Sequence, residues 1–130
     1  MKNFGAQGCD DMRWIYVFLT IVLTVYGQLI LKWHMDRSGP MPSEFSSAIG
    51  FLFRQLIYPT VLSSFGSAFL ASLTWMAALS RFELGFVYPF MSLCFPLVMV
   101  FSALLLGEGL GWTKVAGTIV IVAGLLILSR

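Results

Sequence analysis

The chain has 130 residues, of which 58% are hydrophobic and 11% charged, with a formal charge of +2. Its mean hydropathy is +0.88, and a soluble globular domain carries about 25% charged residues, so this composition belongs in a bilayer. The near-neutral balance, with no basic run and no zinc-ligand spacing, excludes nucleic-acid binding.

Residues 1–12, "MKNFGAQGCDDM", read as a polar tail that lacks the apolar core of a secretory signal. Cys9 lies in this tail and Cys94 in a distant apolar run, so no disulfide is expected, and two thiols alone cannot hold zinc. The rest, residues 13–130, reads as one transmembrane domain.

About 20 apolar residues, rising about 1.5 Å each, cross the hydrocarbon core. The first such span is "WIYVFLTIVLTVYGQLILKW", Trp14 to Trp33, uncharged until Lys32. It contains Gly27 and Gln28. An amide in hydrocarbon costs several kcal/mol unless it is hydrogen-bonded. Gln28 therefore bonds either a neighbouring helix or a ligand, and Gly27 lets another backbone come close. Lys32 either snorkels to the interface or attracts an anion. His34 reads as a surface residue, because no second metal ligand stands at helical spacing from it.

The segment "PSEFSSAIGFLFRQLIYP" has Ser43 as a candidate N-cap and Glu44 in a first turn. Phe45, Ile49, Leu52, Phe53 and Leu56 then recur at helical spacing. This predicts an amphipathic surface helix over about 43–56, ended by Pro59. The alternative is a second span that starts earlier and tilts. Span two is expected over 58–80, with Ser64, Ala68 and Ser72 as a small face for packing within the monomer. Trp75 reads as a packing or interfacial-belt residue.

Span three, 84–106, opens with Tyr88 and Pro89. Pro89 cannot donate a backbone bond and can kink the helix, and Pro96 repeats this seven residues on. Ser92 lies one turn from Tyr88 on the same side. The following turn, with Gly107 and Glu108, reads as structural, Glu108 pairing Lys114 or capping a helix. Span four, 110–128, carries Ala116 and Gly117, repeated as Ala123 and Gly124 two turns later. These small residues share a face suited to close helix approach, within the monomer or in a dimer. The fold class is thus all-α: a four-transmembrane-helix bundle with an amphipathic surface helix between helices 1 and 2.

Lys2, Arg13, Arg81 and Arg130 fall on the N-terminal side, and Lys32, Arg37, Arg54 and Lys114 on the other. That balance sets no orientation by the positive-inside rule. It is compatible with insertion both ways or with a partner that decides. The loops hold no domain, and no nucleophile–base pair, phosphate loop or carboxylate pair stands at an enzymatic spacing. The chain is expected not to be an enzyme and to need no cofactor or metal.

Three stretches carry a resemblance over about residues 13–130: "GQLILK", "LSRFELGFVYPFMSL" and "LLLGEGLGWTKVAGTIVIVAGLLIL". The chain resembles the four-helix members of the drug/metabolite transporter superfamily (EamA-like, small multidrug resistance-like). Within it, the chain looks closest to the 4-amino-4-deoxy-L-arabinose-phosphoundecaprenol flippase subunits. In the proton-coupled exporters a glutamate in mid-span one alternates between proton and cation. Aligning the "LILK" ends places Thr24 there, and threonine can do neither. The flippase-like subunits also lack that acid and keep the Gly-Gln pair.

The resemblance implies a polyprenyl-phosphate-linked, aminoarabinose-like sugar as substrate, moved across the bacterial inner membrane. It implies a homodimer or a heterodimer with a second four-helix subunit, surrounded by membrane lipids. Thr24, Gly27, Gln28, Lys32, Tyr88 and Ser92 are the candidate substrate contacts, with Pro89 and Pro96 as kinks or hinges. Two other functions stay open at this point. One is a small-solute or multidrug exporter without its own coupling glutamate. The other is a non-transporting accessory subunit of a glycosyltransferase system.

Overall fold

A computed structural model describes residues 4–128, with side chains from residue 12 onward. Within that range six helices follow one another: α1 (Phe4–Arg37), α2 (Phe45–Leu56), α3 (Pro59–Leu79), α4 (Leu84–Met91), α5 (Cys94–Leu106) and α6 (Trp112–Leu128). Three apolar stretches are long enough to cross a membrane: Met12–Arg37, Pro59–Leu79 and Leu84–Leu106. The chain is therefore a multi-pass membrane protein. The helix α6 is apolar but shorter, at 17 residues, or about 25 Å at the usual rise.

Helix α1 begins at Phe4, so the backbone of the segment expected as a tail is already helical there. Cys9 and its neighbours lie outside the described side chains.

The α1–α3 pair is the backbone of the fold. The hydroxyls of Thr20 and Thr74 lie 2.8 Å apart, the Ser64 hydroxyl donates to the Gly27 carbonyl at 2.8 Å, and the Thr60 hydroxyl meets His34 Nδ1 at 2.7 Å. Residues advance on α1 as they retreat on α3, so the two helices run antiparallel. Small buried residues make this close approach possible: Thr20 and Gly27 on α1, and Ser64, Ser67 and Ala71 on α3. Ala68 and Ser72, expected to share the packing face of Ser64, are exposed on another side of α3. The helix turns 100° per residue, so the seam follows 64, 67 and 71 and leaves 68 and 72 beside it.

A small core cluster joins α1 to the start of α4: Val17, Ile21, Val25, Ala78 and Val87, the last two with no exposure at all. Trp14 packs on Phe82, Phe86 and Phe90 with ring centroids 5.0–6.2 Å apart. This aromatic knot ties the start of α1 to the α3–α4 turn.

The third apolar stretch is broken, and both prolines take part. Pro89 lies inside α4, so the Gly85 carbonyl loses its helical donor. The chain then tightens: Ser92 N–H bonds the Pro89 carbonyl at 3.0 Å, Leu93 N–H that of Phe90 at 3.1 Å, and Phe95 N–H that of Ser92 at 3.1 Å. These are i→i+3 bonds of the 3₁₀ kind. Pro96 is not a second interior kink. It sits in the first turn of α5, where an N–H would lack a partner anyway.

Two end contacts also differ from expectation. The N-cap of α2 is Glu44 rather than Ser43, and its carboxylate accepts from the Ser47 hydroxyl at 3.3 Å instead of capping. Glu108 pairs with Lys32, at 3.5 Å, and not with Lys114. Gly107 ends α5 with φ +68°, and both it and Glu108 turn their N–H groups to the Ser102 carbonyl. That left-handed cap suits glycine.

Candidate functional site

One groove of about 840 Å³ runs between α1, α3 and the α4–α5 break. From α1 it takes Thr20, Thr24, Gly27, Gln28 and Leu31, which recur every three or four residues on one face. From Thr20 to Leu31 the groove extends about 16 Å along the axis. Opposite stand Ser72 and Trp75 of α3, Tyr88 and Pro89 of α4, and Ser92 in the break. No Asp, Glu, Lys, Arg or His is among the residues that line it.

Five of the six expected substrate contacts meet here: Thr24, Gly27, Gln28, Tyr88 and Ser92. Their chemistry differs. Gly27 is a packing device, since a Cβ at this position would fall 2.7 Å from the Ser67 hydroxyl and 3.3 Å from the Ser64 carbonyl oxygen. Ser92 spends its hydroxyl proton on the Pro89 carbonyl, and Ser72 on that of Ala68 at 3.0 Å. By contrast, Gln28 is exposed to the groove. Its amide makes no side-chain hydrogen bond among the described residues, and the same holds for the hydroxyls of Thr24 and Tyr88. A glutamine that held helices together within the monomer would be bonded across the α1–α3 seam. That work is done by Ser64 and Gly27 instead.

Lys32 is the sixth expected contact and lies outside the groove, one turn past Gln28. Its ammonium bonds Asp36 Oδ1 at 2.6 Å and faces Glu108 Oε1 at 3.5 Å. All three side chains are about half exposed. Two carboxylates around one ammonium leave this cluster net negative. It also links the end of α1 to the α5–α6 turn.

Pro96 does not reach the groove lining, whereas Pro89 forms part of its wall. Ala116, Gly117, Ala123 and Gly124 are all exposed on α6, and a Cβ added at either glycine would meet nothing within 4 Å. A smaller apolar cleft between α4 and α6 is lined by Phe86, Phe90, Leu125 and Leu128. It shares Gly85 and Pro89 with the main groove.

Two features escaped the sequence reading. Trp75 is on the groove wall, edge-on to Tyr88 with centroids 6.0 Å apart. A signal existed: residues 68, 72 and 75 share one helix face, so the small stripe of α3 leads directly to the indole. The second is His34, which is half-buried rather than a surface residue. Its Nε2 lies 2.8 Å from the amide oxygen of buried Gln55, which also accepts from Ser38 at 3.2 Å. An amide oxygen only accepts, so Nε2–H donates, and in the neutral ring Nδ1 accepts from Thr60. This clamp fixes α2 to α1 and α3.

A multi-pass helical protein whose groove carries a few neutral hydrogen-bonding groups on a largely apolar wall has the make-up of a membrane transporter. Comparison with known proteins narrows the class. The chain is 34% identical over 123 residues to the probable 4-amino-4-deoxy-L-arabinose-phosphoundecaprenol flippase subunit ArnF of Erwinia tasmaniensis, covering 90% of this chain and 94% of that protein. It is 28% identical over 121 residues to the probable ArnF subunit of Shewanella sediminis, covering 86% and 83%. The chain belongs to this family of flippase subunits. No family model and no solved structure matches it.

Proposed function

We propose that the chain is one subunit of a flippase in the bacterial inner membrane, and that its groove conducts the headgroup of a polyprenyl-phosphate-linked, aminoarabinose-like sugar. The reading is carried by the unspent Gln28 amide, which faces the groove in company with the Thr24 and Tyr88 hydroxyls. An amide offers two donors and an acceptor, which suits hydroxyls and phosphate oxygens alike. In a water-poor groove such bonds offset the loss of headgroup hydration. The lipid tail stays in the bilayer, so a groove of this size need not enclose the whole molecule.

The neutral lining also weighs against proton-coupled cation export through this chain, since the exporter-type acid position is Thr24. A homodimer or heterodimer with a second four-helix subunit would close the groove, with the open Ala116, Gly117, Ala123 and Gly124 face of α6 as its contact. In this reading α6 is the fourth crossing, and the exposed Phe45, Ile49, Leu52 and Phe53 of α2 lie in the lipid interface. The family would then sit within the drug/metabolite transporter superfamily.

The test is transfer of the lipid-linked sugar in membrane vesicles. Gln28→Ala is expected to lower it at least tenfold, the effect of losing one or two hydrogen bonds to the headgroup (about 1.5 kcal/mol or more). Unchanged transfer would remove the assignment. No transfer by wild-type protein with any four-helix partner would favour the accessory-subunit reading.

A further inference from the structure

Trp75 is shared between the core and the groove. Part of it packs against the core cluster around Val17, Ala78 and Val87, and part lines the groove. The Thr20–Thr74 contact sets its level at the end of the groove opposite Lys32. The Trp75 ring meets Tyr88 at 66°, forming an aromatic corner. The indole N–H makes no hydrogen bond among the described residues.

With no Asp, Glu, Lys, Arg or His in the lining, this groove selects by shape, stacking and neutral hydrogen bonds. A sugar ring presents one face of C–H groups and a rim of hydroxyls. The C–H face packs on the electron-rich face of an indole, which would also attract an ammonium substituent. The rim hydroxyls suit the indole N–H and the Tyr88 hydroxyl. Because one side of Trp75 is held by the core, the platform is preorganised and ordering it costs little.

We infer that Trp75 is a specificity-determining residue of the groove, the platform on which the sugar ring of the headgroup stacks, with Tyr88 closing the corner. This rests on the lipid-linked sugar reading and adds to it a division of the groove: stacking at the Trp75 end, amide hydrogen bonding at Gln28.

The experiment uses the full chain in lipid nanodiscs, with Trp14, Trp33 and Trp112 changed to Phe so that Trp75 is the sole indole. Two radiolabelled probes are titrated, a short-chain prenyl-phosphate aminoarabinose and the same prenyl phosphate without sugar. The sugar-bearing probe is expected to shift and quench Trp75 emission, and the bare phosphate to leave it unchanged. Trp75→Leu should weaken the sugar-bearing probe by about tenfold, a size that aromatic contacts support. Trp75→Phe should restore most of that loss, with the bare phosphate changed less than about twofold in either variant. The inference is overturned if the sugar-bearing probe binds without altering Trp75 emission, or if Trp75→Leu weakens both probes equally. If neither probe binds the parent protein, the proposed function fails and the inference with it. Should Trp75→Leu not fold, the emission measurement decides alone.

Discussion

Replacing Gly27 with alanine puts a methyl group into the tightest point of the α1–α3 seam. The new Cβ would stand 2.7 Å from Ser67 Oγ, 3.3 Å from the Ser64 carbonyl oxygen and 3.7 Å from Ser64 Oγ, where 3.4–4 Å is ordinary contact. Two responses are open. The Ser67 hydroxyl can rotate away from the Ser64 carbonyl, which it bonds at 2.8 Å; a hydrogen bond within a membrane protein averages about 0.6 kcal/mol. Alternatively the helices move apart, stretching the Ser64–Gly27 bond and loosening the seam, and overpacking of this kind costs about 1–3 kcal/mol. Alanine's better helix propensity returns at most about 1 kcal/mol. The net expectation is a loss of about 1–2 kcal/mol, read from unfolding in mixed detergent micelles. Ser67→Ala removes the oxygen at 2.7 Å, so in that background the penalty should shrink by about 1 kcal/mol, within the range for touching pairs. A neutral or stabilising Gly27→Ala, or a penalty indifferent to Ser67→Ala, would refute the close-approach account.

Other outcomes can be checked in the same system. Gln28→Ala should leave unfolding within about 0.5 kcal/mol of wild type while transfer falls, because its amide bonds nothing in the monomer; a large stability loss would return Gln28 to a structural role. His34→Ala takes one of two partners from buried Gln55 and should cost about 1–3 kcal/mol, seen first as faster hydrogen exchange in α2. Glu108→Gln should cost under about 1 kcal/mol, as expected for a half-exposed ion pair, and the loss should vanish at high salt. Gly107→Ala forces an L-residue to φ +68° and should cost about 1 kcal/mol, with unfolding as the readout.

Much of the helix layout was legible because hydropathy and end signals are local. Span two, expected over 58–80, is Pro59–Leu79, and the surface segment expected over 43–56 is helical over Phe45–Leu56. Gln28 stood out as a candidate because an amide in hydrocarbon needs a partner, Thr24 through the family alignment, and Tyr88 and Ser92 as neighbours on one side of span three. Which partner they meet was not legible. Periodicity gives the face of a helix but not the neighbour it turns to, and the antiparallel register of α1 and α3 comes from contacts far apart in sequence. His34 thus seemed exposed until Gln55, twenty-one residues on, closed over it. Glu108 had Lys114 nearby in sequence, yet the return of α5 beside α1 brings Lys32 closer. Pro96 looked equivalent to Pro89, and only the tightened turn at Ser92 and Leu93 separates a helix start from a kink.

The central claim is that a sugar-bearing lipid headgroup passes through the α1, α3 and α4 groove by way of Gln28. Its most direct test is translocation in proteoliposomes that contain this chain and its four-helix partner. A polyprenyl-phosphate aminoarabinose is loaded in one leaflet, and its arrival in the other is read with a membrane-impermeant amine reagent. Wild-type protein should carry label-accessible amine across, Gln28→Ala should do so at least about tenfold more slowly, and both should fold alike. Equal rates for the two proteins, with the lipid translocated, would contradict the account.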